Sequence, residues 1–232
     1  MKRIYVIVEG PSEREFVSRI LAPYFGKNGL LISAISMLKS GGGMGFSNLE
    51  HFKNNVKPLL YDKDAPLITT MVDLFRFPVQ SNDPNEEAEL KKYSLESDIS
   101  TRLAGLERVL YDAVQKIKPY KDFIPYIQKH EFEALIFSDA KVFNIESAAI
   151  EKAVEDILAT TPCPEDINTT EEGHPAKRQE SIFKSNKKKY VKGANAVDFA
   201  EMAGIEIILD KCPRFRFWIE TLMLGASDLS KM

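Results

Sequence analysis

Ile4-Tyr5-Val6-Ile7-Val8 runs directly into Glu9-Gly10-Pro11 and then into Ser12-Glu13-Arg14-Glu15. The first five residues are apolar and rich in β-branched side chains, the pattern of a strand covered on both faces in a parallel sheet. Ser12 and Glu15 stand at capping-box spacing, so the helix is expected to start there. Phe16, Val17, Ile20, Leu21 and Tyr24 then recur at helical spacing and give that helix one apolar face. A buried strand, a tight turn and an amphipathic helix open an α/β fold.

The same alternation continues outward. Leu30 to Leu38 and Pro66 to Val72 read as strands, the second closing at Asp73. Gly41-Gly42-Gly43 marks a mobile loop over the sheet edge, and a helix is expected from about Asn48 to Leu60. Residues 76–97 are polar and acidic and read as a solvated excursion or lid. Ile99, Leu103, Leu106, Leu110, Val114 and Ile117 form one helical stripe that must stop at Pro119. Phe123 to Gln128 is the fourth apolar run and leads into His130-Glu131-Phe132-Glu133-Ala134-Leu135-Ile136-Phe137. Strands alternating with helices build a doubly wound, Rossmann-like sheet, here mainly parallel, four-stranded and flanked by helices. Residues 1–140 are read as that core. Residues 141–232 are read as a mostly helical C-terminal extension, with helices over 146–158 and 194–203, the latter closed by Gly204, and another from Pro213.

Composition narrows the class. The chain has 232 residues, 44% hydrophobic and 28% charged, which excludes disordered, collagenous and coiled-coil architectures. A net charge of -3 excludes a globally basic nucleic-acid coat but leaves room for a local patch. Cys163 and Cys212 are too few for a disulfide scaffold and lack zinc-ligand spacing, as expected of a reduced, cytoplasmic setting. The apolar run before Glu9 is too short for a signal peptide or a membrane span, so no membrane partner is expected.

Ligands of open α/β sheets bind at the carboxyl ends of the strands. Three of the four apolar runs deliver an acid there: Glu9, Asp73 and Glu131. Acids gathered in one crevice repel one another unless a cation joins them, and an oxygen-rich set suits Mg²⁺ or Mn²⁺. Glu13 and Glu15 are accounted for as first-turn acids that complement the helix dipole. Glu131 and Glu133 share a face if the block is extended and diverge by about 200° in a helix, so a helix leaves only one of them facing the crevice. His130 is either a general acid or base, or a residue that caps and orients the following turn. His51 and His174 stand at no ligand spacing and are read as structural or exposed.

Between Lys177 and Lys192 there are seven basic residues and one acid, Glu180. Interleaved with Phe183 and Tyr190, they offer either a solvated face or a surface that tracks a phosphate backbone and stacks a base, with Lys177, Arg178 and Lys192 as the candidate contacts. The glycine loop lacks the Gly-Lys-Ser/Thr ending of a nucleotide P-loop, so ATP hydrolysis would belong to a partner. Phe215, Phe217, Trp218 and Leu222 are read as core, and part of their helix as a surface for another subunit.

The set of Val8-Glu9-Gly10-Pro11-Ser12-Glu13 after a first strand and Met71-Val72-Asp73 closing a later one resembles the Toprim domain. That domain is the metal-binding catalytic fold of topoisomerases, primases and overcoming-lysogenization-defect (OLD) nucleases. Asp73, the block Gln128 to Leu135, and the tail with Cys212-Pro213 and Trp218 resemble more closely a small Toprim-like bacterial family that occurs beside AAA-type or ABC-type ATPases in phage-defence operons. The resemblance implies a Mg²⁺- or Mn²⁺-dependent nuclease acting on DNA or RNA, with Glu9, Asp73 and Glu131 on the metal. It further implies Glu133 and His130 beside them, Lys177 or Arg178 on the transition-state charge, and an ATPase partner. One departure stands out: Leu74-Phe75 follow Asp73 where Toprim enzymes usually carry Asp-x-Asp. Either Glu131 or Glu133 replaces the missing oxygen, or the site binds one metal weakly, or catalysis is lost and the fold serves as an interaction module.

Overall fold

The computed structural model describes residues 3–39, 41–167, 173–191 and 194–228. The chain begins with β1 (Arg3–Val8) and a helical segment made of α1 (Pro11–Phe16), one π turn (Val17–Leu21) and α2 (Ala22–Lys27). β2 (Leu31–Ser36), α3 (Leu49–Leu60) and β3 (Leu67–Asp73) follow, then α4 (Pro84–Ser94) and α5 (Ile99–Ile117). β4 (Phe123–Ile124) and β5 (Ile127–Gln128) flank Pro125. The C-terminal part carries 3₁₀ turns over Phe132–Ser138 and Ala140–Ile145, then α6 (Ala148–Thr160), α7 (Pro175–Ser185), α8 (Ala194–Ala203), α9 (Ile205–Lys211) and α10 (Pro213–Asp228).

The sheet is parallel in the order β2-β1-β3-β4, with β5 continuing alongside the end of β3. Alternation along the strands divides the interior into two cores, as the two-residue side-chain period requires. Ile4, Val6, Val8, Leu67 and Met71 face α1, α2 and the C-terminal helices, whereas Ile7, Ile68 and Val72 face α3, α4 and α5. The C-terminal helices therefore share one face of the sheet with α1 and α2.

Trp218 anchors α10 on that face. Its indole N–H donates to Thr69 Oγ1 at 2.9 Å and its ring stacks on Tyr126 at 4.3 Å between centroids. A buried aromatic in a well-packed site costs about 3–5 kcal/mol when truncated. Trp218→Ala is expected to lose that much in a urea unfolding titration; a loss near zero would mean that α10 is not anchored there.

Several expectations are corrected. Residues 76–97 are not a polar lid: α4 packs on α5 through Leu90, and buried Glu86 accepts from Ser81 at 2.7 Å and from Lys53 and Lys116 at 3.0 Å each. Burial opposes the charge on Glu86, but these three donors hold its carboxyl below its ordinary range. The first helix starts at Pro11 with Gly10 as its cap, and Glu13 rather than Glu15 reaches back, accepting from the Gly10 N–H at 3.0 Å. Phe217, expected in the core beside Phe215 and Trp218, is 70% exposed, because it stands on the outer face of α10. The fourth apolar run is not one strand, because Pro125 lacks the amide that would continue the ladder.

Candidate metal centre

A sheet ordered 2-1-3-4 reverses its winding between β1 and β3, and the crevice outside the carboxyl ends of those two strands is where such folds bind ligands. Val8 pairs with Met71 and Asp73 with Gln128, so Glu9, Asp73 and the segment after β5 arrive along one edge. The ladder extends past the strands: Leu74 N–H donates to the Gln128 carbonyl at 3.0 Å and Phe75 N–H to the His130 carbonyl at 2.8 Å. His130 takes a left-handed conformation, φ 70°, which turns the chain back over the edge. Phe132 N–H then donates to Asp73 Oδ1 at 2.9 Å.

This turn settles the Glu131/Glu133 question. Glu131 is extended and Glu133 lies in the first 3₁₀ turn, and both side chains are buried toward Asp73. Asp73, Glu131 and Glu133 each offer a carboxylate oxygen within 4.8 Å of the others. Three carboxylate oxygens gathered in one crevice are, in their chemistry, a donor set for a hard divalent cation. Glu9 is half-buried and lies outside this closest trio, but its charge acts on Asp73.

The electrostatics are those of a crowded acid cluster. Removal from water, followed by the negative charges of Glu13, Glu133, Glu9 and Glu131, holds the Asp73 carboxyl well above the ordinary range. Glu131 is tethered from the far side: its Oε2 contacts His174 Nδ1 at 2.7 Å and accepts from Ala176 N–H, in the first turn of α7, at 3.1 Å. The His174 ring stacks on Phe75 at 4.5 Å. His174 is thus part of the site, fixing Glu131 in place.

The remaining candidates fall less close. Burial lowers the His130 imidazole to about 4, so it is neutral at physiological pH, and its carbonyl serves the turn. Arg178 donates from Nε to the Gly173 carbonyl at 2.7 Å, and Lys177 reaches Glu180 at 3.5 Å. Lys192 lies outside the described residues. Phe183 and Tyr190 do not form an exposed stacking platform: Phe183 is buried, and Tyr190 packs edge-on against it with its hydroxyl enclosed. Phe183 serves the buried face of α7, and Tyr190, beyond the helix end, packs onto it. Glu13 and His174 are neighbours of the trio that sequence reasoning misses: the first is legible only as the first-turn acid it also is, and the second is hidden by its distance along the chain from Glu131.

No helix among the described residues is long and apolar enough to cross a membrane. No curated protein and no solved structure matches the chain. Residues 8–223 match DUF4276, a domain of unknown function, and this span carries every acid of the centre. A match of that extent, running from the last residue of β1 into α10, makes the chain a member of the DUF4276 family.

Proposed function

We propose that the chain is a metal-dependent phosphodiester hydrolase of Toprim-like design, acting on DNA or RNA with Mg²⁺ or Mn²⁺ as cofactor and working beside an AAA-type or ABC-type ATPase in phage defence. The observation that carries the reading is the trio Asp73, Glu131 and Glu133 at the β1/β3 switch point, with burial and like charges holding the Asp73 carboxyl well above the ordinary range. Such clusters of carboxylates with displaced titration mark functional sites. The glutamates at 131 and 133 stand in for the aspartate that Leu74-Phe75 lack.

In this reading Asp73, Glu131 and Glu133 hold the cation, and Glu9 and Glu13 set the negative field around it. When bound, the cation supplies Lewis-acid stabilisation of the phosphoryl oxygens and lowers the pKa of the attacking water. His174 and the Ala176 N–H orient Glu131, and Phe132 N–H orients Asp73. His130, neutral at pH 7, is not a source of protons for the leaving oxygen. Lys177 or Arg178, in the first turn of α7 with Ala176, would counter phosphate charge.

Glu133→Gln is expected to lower the rate of Mn²⁺-dependent cleavage of duplex DNA or structured RNA at least about a hundredfold, the usual scale for removing one stabilising group from a transition state. If wild type and variant are equally active, the hydrolytic reading fails. A second reading is a non-catalytic module that senses for its ATPase partner. It is favoured by Lys177 and Arg178 being engaged within the protein itself. Wild type that binds the ATPase and cleaves nothing with either metal would support it.

A further inference from the structure

Gln179 is the most unusual polar residue of α7. It is 1% exposed, yet neither its amide oxygen nor its amide nitrogen has a hydrogen-bond partner. A buried amide left unpaired costs free energy and persists in native proteins where something else uses it. Its position says what that is. Ala176, Gln179 and Phe183 form the buried face of α7, spaced three and four residues apart. Ala176, one turn before Gln179, gives its N–H to Glu131. Phe183, one turn after, carries the Tyr190 ring at 5.3 Å, and the enclosed Tyr190 hydroxyl also lacks a partner. Two uncharged, unengaged polar groups, Gln179 on α7 and Tyr190 packed on Phe183, thus line the helix face whose first turn holds Glu131.

We infer that Gln179 and Tyr190 are positioning residues of the centre, hydrogen-bonding the waters that a hard divalent cation keeps when Asp73, Glu131 and Glu133 bind it. The inference rests on the metal reading given above. Mg²⁺ and Mn²⁺ are bound by few protein carboxylates and retain several waters, and those waters need acceptors and donors of their own. An amide, which both gives and accepts, and a phenol satisfy them without adding charge to a site already overloaded with it. Groups in this outer position usually alter metal affinity by 10- to 100-fold.

The test is calorimetric titration of the full chain with Mn²⁺ alone, comparing wild type with Gln179→Leu and Tyr190→Phe. Each variant is expected to bind Mn²⁺ about tenfold more weakly. The metal-free melting temperature is expected to hold or rise, because each substitution deletes polar atoms that bond to nothing. A merely structural role would lower that temperature and leave affinity alone. Tyr190→Phe removes a single oxygen and decides the matter if the leucine variant does not fold. Wild type that binds Mn²⁺ with both variants binding equally well overturns this inference and leaves the carboxylate centre standing. Wild type that binds no Mn²⁺ overturns the centre and the inference with it.

Discussion

Asp73→Asn is expected to stabilise the metal-free protein at neutral pH by about 0.5–2 kcal/mol, while abolishing its stabilisation by Mn²⁺. The asparagine keeps an oxygen for the Phe132 N–H and removes the charge that Glu13, Glu133, Glu9 and Glu131 oppose. The pH dependence follows from the direction of the shift. The Asp73 carboxyl titrates higher in the folded chain than in the unfolded one, so its protonated form adds stability that is complete below the ordinary carboxylate value. That stability is lost as pH rises through the elevated one. His130 acts in the opposite sense: with a folded value of about 4 against 6.5, its contribution is present above 6.5 and fades as pH falls toward 4. Both proteins carry His130, so the difference between them isolates Asp73. Urea titrations at about pH 5 and pH 8 should show the variant's advantage growing at the higher pH. An equal loss or gain at both would mean that Asp73 is not under like-charge repulsion.

A destabilisation of about 1–3 kcal/mol is expected from Glu131→Ala, the scale for leaving a buried hydrogen-bonding group unsatisfied. One carboxylate oxygen holds both the His174 ring and the first turn of α7, and His174 in turn rests on Phe75 just past β3. Losing it leaves the Ala176 N–H unsatisfied and releases α7 from the sheet edge. Limited proteolysis should then cut between Gly173 and Lys177 before the α/β core opens. Glu131→Gln retains an acceptor and should cost less. Equal resistance of wild type and the alanine variant would place the anchor of α7 elsewhere.

The sheet was legible because its strands are written as continuous apolar runs: Ile4 to Val8 and Leu67 to Val72 are buried on both faces, and both cores use them. Asp73 was legible for the same reason, as a charge closing such a run. The turn at His130 was not legible. Whether Glu131 and Glu133 converge depends on one left-handed residue and a 3₁₀ start, and neither alternation nor helical periodicity describes such a backbone. Local pattern also misassigned α4, whose weakly amphipathic surface is offset by the buried Glu86 network with Lys53 and Lys116. α7 reads as charge in the sequence because its buried face is narrow: Ala176, Gln179 and Phe183 are scattered among charged residues. Its role in the site is a tertiary fact, since the partners of Glu131 come from more than forty residues away.

The most direct test of the centre is a crystal soaked in Mn²⁺ and measured at a wavelength where manganese scatters anomalously. A single strong anomalous peak within coordination distance of Asp73, Glu131 and Glu133, and absent in crystals of Asp73→Asn, is the expected result. Anomalous density confined to surface acids away from β3, with the trio's oxygens bonded only to protein and water, would contradict the account.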